Sequence, residues 1–147
     1  MNARELASGN GTHSFVLVFK TGDEVTRELL TFARSRGVTA ASFTGIGAFQ
    51  DVTLGYFDLE RRDYDRIPLR EQLEVLSLVG NLAAGDAGPK LHAHVVVGRR
   101  DGSAHGGHLV EARVRPTLEI VLVETPAHLR RRSDPATGLA LIDLEER

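Results

Sequence analysis

The sequence predicts an α+β domain built on a curved, mostly antiparallel β-sheet with one main helix. Two observations predict it. Short apolar runs rich in β-branched and aromatic residues recur between clusters of glycine, proline and aspartate, and only Glu24 to Arg36 carries convincing helical periodicity. A doubly wound α/β fold needs a helix between nearly every pair of strands, so it is disfavoured. A chain of 147 residues supports one domain with a real core. We expect that domain to span residues 1–147, with its core at about 14–125 and a C-terminal extension over 126–147.

Ser14 to Lys20 (SFVLVFK) reads as the first strand. Thr21-Gly-Asp-Glu24 then has the form of a capping box, and Val25, Leu29, Phe32 and Ala33 follow at helical spacing until Gly37 stops the helix. Val38 to Phe43 is expected as a second strand leading into a tight turn at Thr44-Gly45-Ile46-Gly47, and Asp51 to Asp58 as a third strand. Leu59 to Asp65 is polar and reads as a turn. Glu71 to Leu82 makes a long strand, Ala83 to Pro89 a glycine-rich loop, and Leu91 to Gly98 another strand. Thr117 to Thr125 alternates cleanly, with Thr117, Glu119, Val121 and Val123 on one face. Leu139 to Leu144 adds a short edge strand after the loop at Asp134-Pro135.

Composition narrows the chemistry. There are no cysteines, which excludes disulfides, thiolate nucleophiles and Cys-type zinc modules, so a tightly held metal must use imidazole and carboxylate. With 18 Lys and Arg against 20 Asp and Glu, the net charge of -2 lacks the broad positive field of a nucleic-acid binder. No apolar stretch is long enough to span a bilayer and Met1 to Gly11 lacks a signal-peptide core, so the expected partners include no membrane and the expected location is cytoplasmic.

Three of the six histidines fall in one short stretch, as Leu91-His92-Ala93-His94 and Gly106-Gly107-His108. Alternate strand residues share a face, which puts His92 and His94 about 7 Å apart along the strand. Gly98-Arg99-Arg100-Asp101-Gly102 carries hairpin signals that would return the chain and set His108 near His94, although Gly106-Gly107 could host a bulge that changes the register. Three converging imidazoles would form an open site of the kind catalytic zinc uses. The same spacing also fits solvated histidines on a half-exposed strand. His105, nearer the turn, is a weaker ligand candidate than His108. His13 and His128 have no partner at ligand spacing.

Other signals are weaker. Gly45-Ile-Gly47 lacks the following helix of a dinucleotide site. None of the serines sits in a G-x-S-x-G context. Arg130-Arg131-Arg132 is the densest basic cluster, but with Asp134, Asp143, Glu145 and Glu146 beside it, it reads as a solvated tail.

The run Gly80-Asn81-Leu82, Pro89, Leu91-His-Ala-His94, Gly106-Gly-His-Leu109, Val114 and Thr117-x-Glu119 resembles the signature of the PPC domain, the plants and prokaryotes conserved family. Gly45-Ile-Gly47 and Leu54-Gly55-Tyr56-Phe57 are similar to its upstream motifs. The resemblance implies a compact homotrimer in which a divalent metal, commonly zinc, sits on His92, His94 and His108. It also implies a DNA-associated or regulatory role, because the plant members carry AT-hooks. This chain has no Arg-Gly-Arg-Pro core, so only weak DNA association is expected. The alternative is a zinc-dependent lyase or hydrolase acting on a small-molecule ligand, since such a metal polarises carbonyls or activates water. Similarity of fold between this family and the acetolactate decarboxylases points the same way without transferring a reaction. Glu119 is the expected catalytic carboxylate, with Asp86 and Arg113 as weaker candidates for the pocket wall.

Overall fold

A computed structural model describes residues 1–125 and 129–144 of the chain. His128, Glu145 and Glu146 lie outside the described residues. Ten elements follow in order: β1 (Asn2–Gly9), β2 (Thr12–Lys20), α1 (Val25–Arg36), β3 (Ala41–Asp58), β4 (Asp63–Leu69), β5 (Leu73–Gly85), β6 (Gly88–Gly98), β7 (Ala104–Glu124), β8 (Arg130–Ser133) and β9 (Ala140–Asp143). The nine strands form one sheet in the order β1-β2-β7-β3-β5-β8-β9, with β4 added on β3 and β6 paired to both β5 and β7. Strands β3, β5, β6 and β7 therefore close on one another, which is the source of the curvature. Pairings are antiparallel except for a single parallel bridge from Ala84 in β5 to Arg130 in β8, so the sheet is mixed.

The core lies between α1 and the inner face of this sheet. Val25, Leu29, Phe32 and Ala33 recur on one side of the helix and pack into a cluster with Leu17 and Phe19 of β2, Phe43 and Phe49 of β3 and Leu118, Ile120 and Leu122 of β7. Burying each large side chain contributes roughly 1.5–3 kcal/mol. Gly37 ends the helix in the left-handed conformation at φ 68°. The start differs from the expected capping box. Glu24 itself is the cap, accepting from Thr26 N at 3.2 Å and Arg27 N at 2.7 Å, because Gly22 and Val114 are tied to each other's neighbourhood through Gly22 N to Val114 O at 3.0 Å. Residues 21–23 thus belong to a connection held against β7.

The two strands expected on either side of Gly45-Ile46-Gly47 are one strand of 18 residues. The register slips against β5 between Gly45 and Gly47 and against β7 between Gly47 and Phe49, so this element is a bulged bend inside β3 and not a turn. Gly47 has φ 152°, and a Cβ there would lie 2.4 Å from Thr117 O and 2.6 Å from Leu118 Cα. Only glycine lets β7 pass this close.

Three further strands are unexpected. β1 forms a hairpin with β2 and is exposed along its whole length. β4 occupies part of the expected turn and carries Pro68 where only an edge strand tolerates it. β8 turns the arginine run into a strand paired with β9. The expected loop over Ala83 to Pro89 shrinks to a tight connection, since β5 runs to Gly85 and β6 starts at Gly88. No helix among the described residues is long and apolar enough to cross a membrane.

Candidate metal centre

Ala93, Val95 and Val97 of β6 point into the core, and strict alternation then sends His92 and His94 to the opposite face. The hairpin forms as the turn signals predict: Arg99 N bonds Ser103 O at 2.8 Å and Gly102 takes φ 83°. It returns β7 in regular register, with His94 opposite His108 and His105 opposite Val97. No bulge interrupts this pairing, so the third imidazole meets the other two.

The three rings form a compact triangle, with centroids 5.1 Å apart for His92 and His94, 5.3 Å for His92 and His108 and 5.4 Å for His94 and His108. One nitrogen from each lies within 4.8 Å of the others. Glycines around them make the close packing possible. A Cβ on Gly80 would fall 2.6 Å from His92 O and 2.4 Å from Phe43 Cζ, and one on Gly107 would fall 2.9 Å from Gly55 O. Gly55, opposite His108 across the β3–β7 pair, leaves room for Tyr64, whose ring stacks on His108 at 4.8 Å.

Burial and neighbouring charge favour the neutral form of His92 and His108. Burial pushes the His108 imidazolium pKa down to about 4, with His92 and His94 adding to the effect. His92 is also lowered, by burial first and then by the Arg131 charge and His94. His108 Nδ1 is buried with no hydrogen-bond partner among the described residues. Orphaned buried nitrogens are costly, and a cation would satisfy this one. The donor set of three imidazoles without thiolate suits zinc and neighbouring late transition metals better than magnesium or calcium. The residues present thus fit a divalent ion held by His92, His94 and His108.

Arg131 gives sequence reasoning its clearest miss. It is only 8% exposed, not solvated. From β8 it donates to Ala140 O at 2.6 Å, to Asn81 Oδ1 at 2.9 Å and to His92 Nδ1 at 3.1 Å. A guanidinium only donates, so His92 Nδ1 accepts and the proton of the neutral ring resides on Nε2, 3.2 Å from His94 Nε2. For His92 to offer Nε2 to a cation, that proton must move to Nδ1, and Arg131 must turn toward Asn81 and Ala140. Nothing in the run Arg130-Arg131-Arg132 marks the middle residue as buried; the exposed-buried-exposed pattern exists only once β8 is in place.

The other sequence candidates lie elsewhere. Glu119 sits eleven residues beyond His108 on β7. It is exposed beside Ile46 and Val18 and borders a separate hollow with Gly47, Leu76 and Pro116 that contains none of the three histidines. Its strand partners are Val18 and Ile46 and not the histidines, and its catalytic role stays a proposal. Asp86 is exposed in the β5–β6 connection. Arg113 faces Asp51 at 3.5 Å on the surface. His13 pairs with Glu5 at 2.9 Å.

Comparison with known proteins agrees with this architecture. Residues 6–126 match the model of the Plants and Prokaryotes Conserved (PCC) domain, the family also written PPC. The chain belongs to this family. The metal-containing protein of Archaeoglobus fulgidus is 35% identical over 88% of this chain and 91% of that one, with a TM-score of 0.82. A PPC protein of Pyrococcus horikoshii is 33% identical over 91% and 93% of the two chains, TM-score 0.84. A protein of Bacteroides thetaiotaomicron described as a candidate DNA-binding protein is 30% identical over 98% and 99%, TM-score 0.89. The α-acetolactate decarboxylase of Bacillus subtilis, 14% identical over 86% of this chain and 58% of that one with a TM-score of 0.55, shares the fold alone. No curated protein matches the chain.

Proposed function

We propose that this PCC-domain protein is a divalent-metal-binding module, with zinc as the resident ion on His92, His94 and His108. The observation that carries the reading is the triangle of imidazole nitrogens within 4.8 Å, packed by glycines. When bound, the ion would supply Lewis-acid polarisation of a ligand oxygen. His94 is exposed and the three histidines leave a tetrahedral ion one open position, so the centre is of the open type. Because His108 protonates only near pH 4 and His92 also lies below its ordinary 6.5, protons compete poorly for these two lone pairs at neutral pH. Zinc occupancy, measured by metal analysis across a pH series, is expected to fall with decreasing pH and to have its midpoint below 6.5. A midpoint above 6.5 contradicts the reading.

The metal-dependent enzyme, a lyase or hydrolase, is favoured over direct DNA binding by one observation. Two members of the arginine cluster best able to contact phosphates are already engaged: Arg131 is buried against Asn81 and His92, and the exposed Arg132 pairs with Asp143 at 2.9 Å. The net charge of -2 leaves no compensating field. The DNA association described for similar proteins is carried to this chain as a weak, salt-sensitive property.

The homotrimer belongs to the same proposal. Ile46, Leu76, Val79 and Val121, between 46% and 62% exposed, form an apolar outer face on β3, β5 and β7, and the cross-strand row Val121, Thr44, Val79, His94 leads from it to the histidines. Faces of this kind are covered by neighbours in stable oligomers. Light scattering is expected to report a mass near three times 16.0 kDa. A monomer at micromolar concentration contradicts it.

A further inference from the structure

A cavity of about 720 Å³ opens beside His108, between α1, β4, the β5–β6 connection and β7. Its volume is in the range of small-molecule sites. Three cationic side chains line it, Arg34, Arg66 and Lys90, against one carboxylate, Asp63. Arg66 is engaged with Glu111 at 3.2 Å. Arg34 and Lys90 have no ion-pair partner among the described residues, so they present unneutralised charge to whatever enters. Leu30, Leu91 and Val110 add apolar surface to the same lining. A ligand matched to it carries negative charge together with hydrocarbon.

We propose that the cavity binds a small aliphatic dicarboxylate, one carboxylate at the His108 wall beside the metal centre and the other at Arg34 and Lys90. This rests on the metal reading, since a divalent ion supplies the attraction at the His108 end. Phosphate is the poorer match because it has no hydrocarbon for Leu30, Leu91 and Val110 to cover. At the start of α1 the backbone N–H groups of Thr26 and Arg27 are taken by the Glu24 carboxylate, so these two are not offered to an anion.

The test uses protein loaded with one equivalent of Co²⁺, titrated with glutarate and, separately, with inorganic phosphate. Calorimetry reads binding, and the visible cobalt bands read arrival of a ligand at the centre. Glutarate is expected to bind saturably and to shift the bands. The Arg34→Gln/Lys90→Gln variant is expected to bind about tenfold or more weakly while taking up cobalt stoichiometrically. Three results would overturn the proposal: no saturable binding to the cobalt-loaded protein, equal affinity in the variant, or phosphate binding more tightly than glutarate. Failure to take up cobalt is a different result. It would refute the metal centre, and the dicarboxylate site with it.

Discussion

The His92→Ala/His94→Ala variant is expected to lose stoichiometric zinc, with affinity falling by at least about a thousandfold as two of three ligands disappear. The fold should survive. Both side chains leave β6 on the face opposite the core, while Ala93, Val95 and Val97, which hold the strand in place, are untouched. Dialysis against a weak chelator followed by metal analysis reads the loss, and circular dichroism reads the fold. Full occupancy in a folded variant refutes the ligand assignment.

Gly47→Ala is expected to be the most destabilising conservative change away from the histidines, by roughly 3 kcal/mol or more in urea unfolding. The added methyl would sit 2.4 Å from Thr117 O and 2.6 Å from Leu118 Cα. These are backbone atoms of a central strand and cannot rotate away, and the φ of 152° is one that alanine rarely adopts. Either β7 moves off β3 or the bulge rearranges. A loss below about 1 kcal/mol would show that the bend yields easily.

These two variants also mark what could be read from the chain alone. The histidine pair was readable because β6 alternates apolar and polar residues, and the hairpin because Gly102 and Asp101 carry turn chemistry that the structure uses directly. Gly47 was visible as a glycine but not as a bulge. Its need arises from Thr117 and Leu118, seventy residues away, and no local pattern encodes that approach. Strand β1 escaped because it buries nothing and so has no apolar alternation to detect. β4 escaped because Pro68 and its charges look like loop, which an exposed edge strand permits. Glu119 illustrates a different limit: periodicity tells which face of a strand a residue takes, but not that its neighbours there are Val18 of β2 and Ile46 of β3. Arg131 was unreadable for a related reason. A buried arginine is recognisable only by its acceptors, and Asn81 and His92 come from strands fifty and thirty-nine residues earlier.

The most direct measurement of the central claim is the zinc K-edge absorption spectrum of the wild-type protein carrying one equivalent of the metal. If the proposed ligands hold the ion, the spectrum shows three imidazole nitrogens at about 2.0–2.1 Å and one further light ligand, with the outer-shell scattering that imidazole rings produce. A shell dominated by carboxylate oxygen, or one with fewer than three imidazoles, would contradict a centre built on His92, His94 and His108.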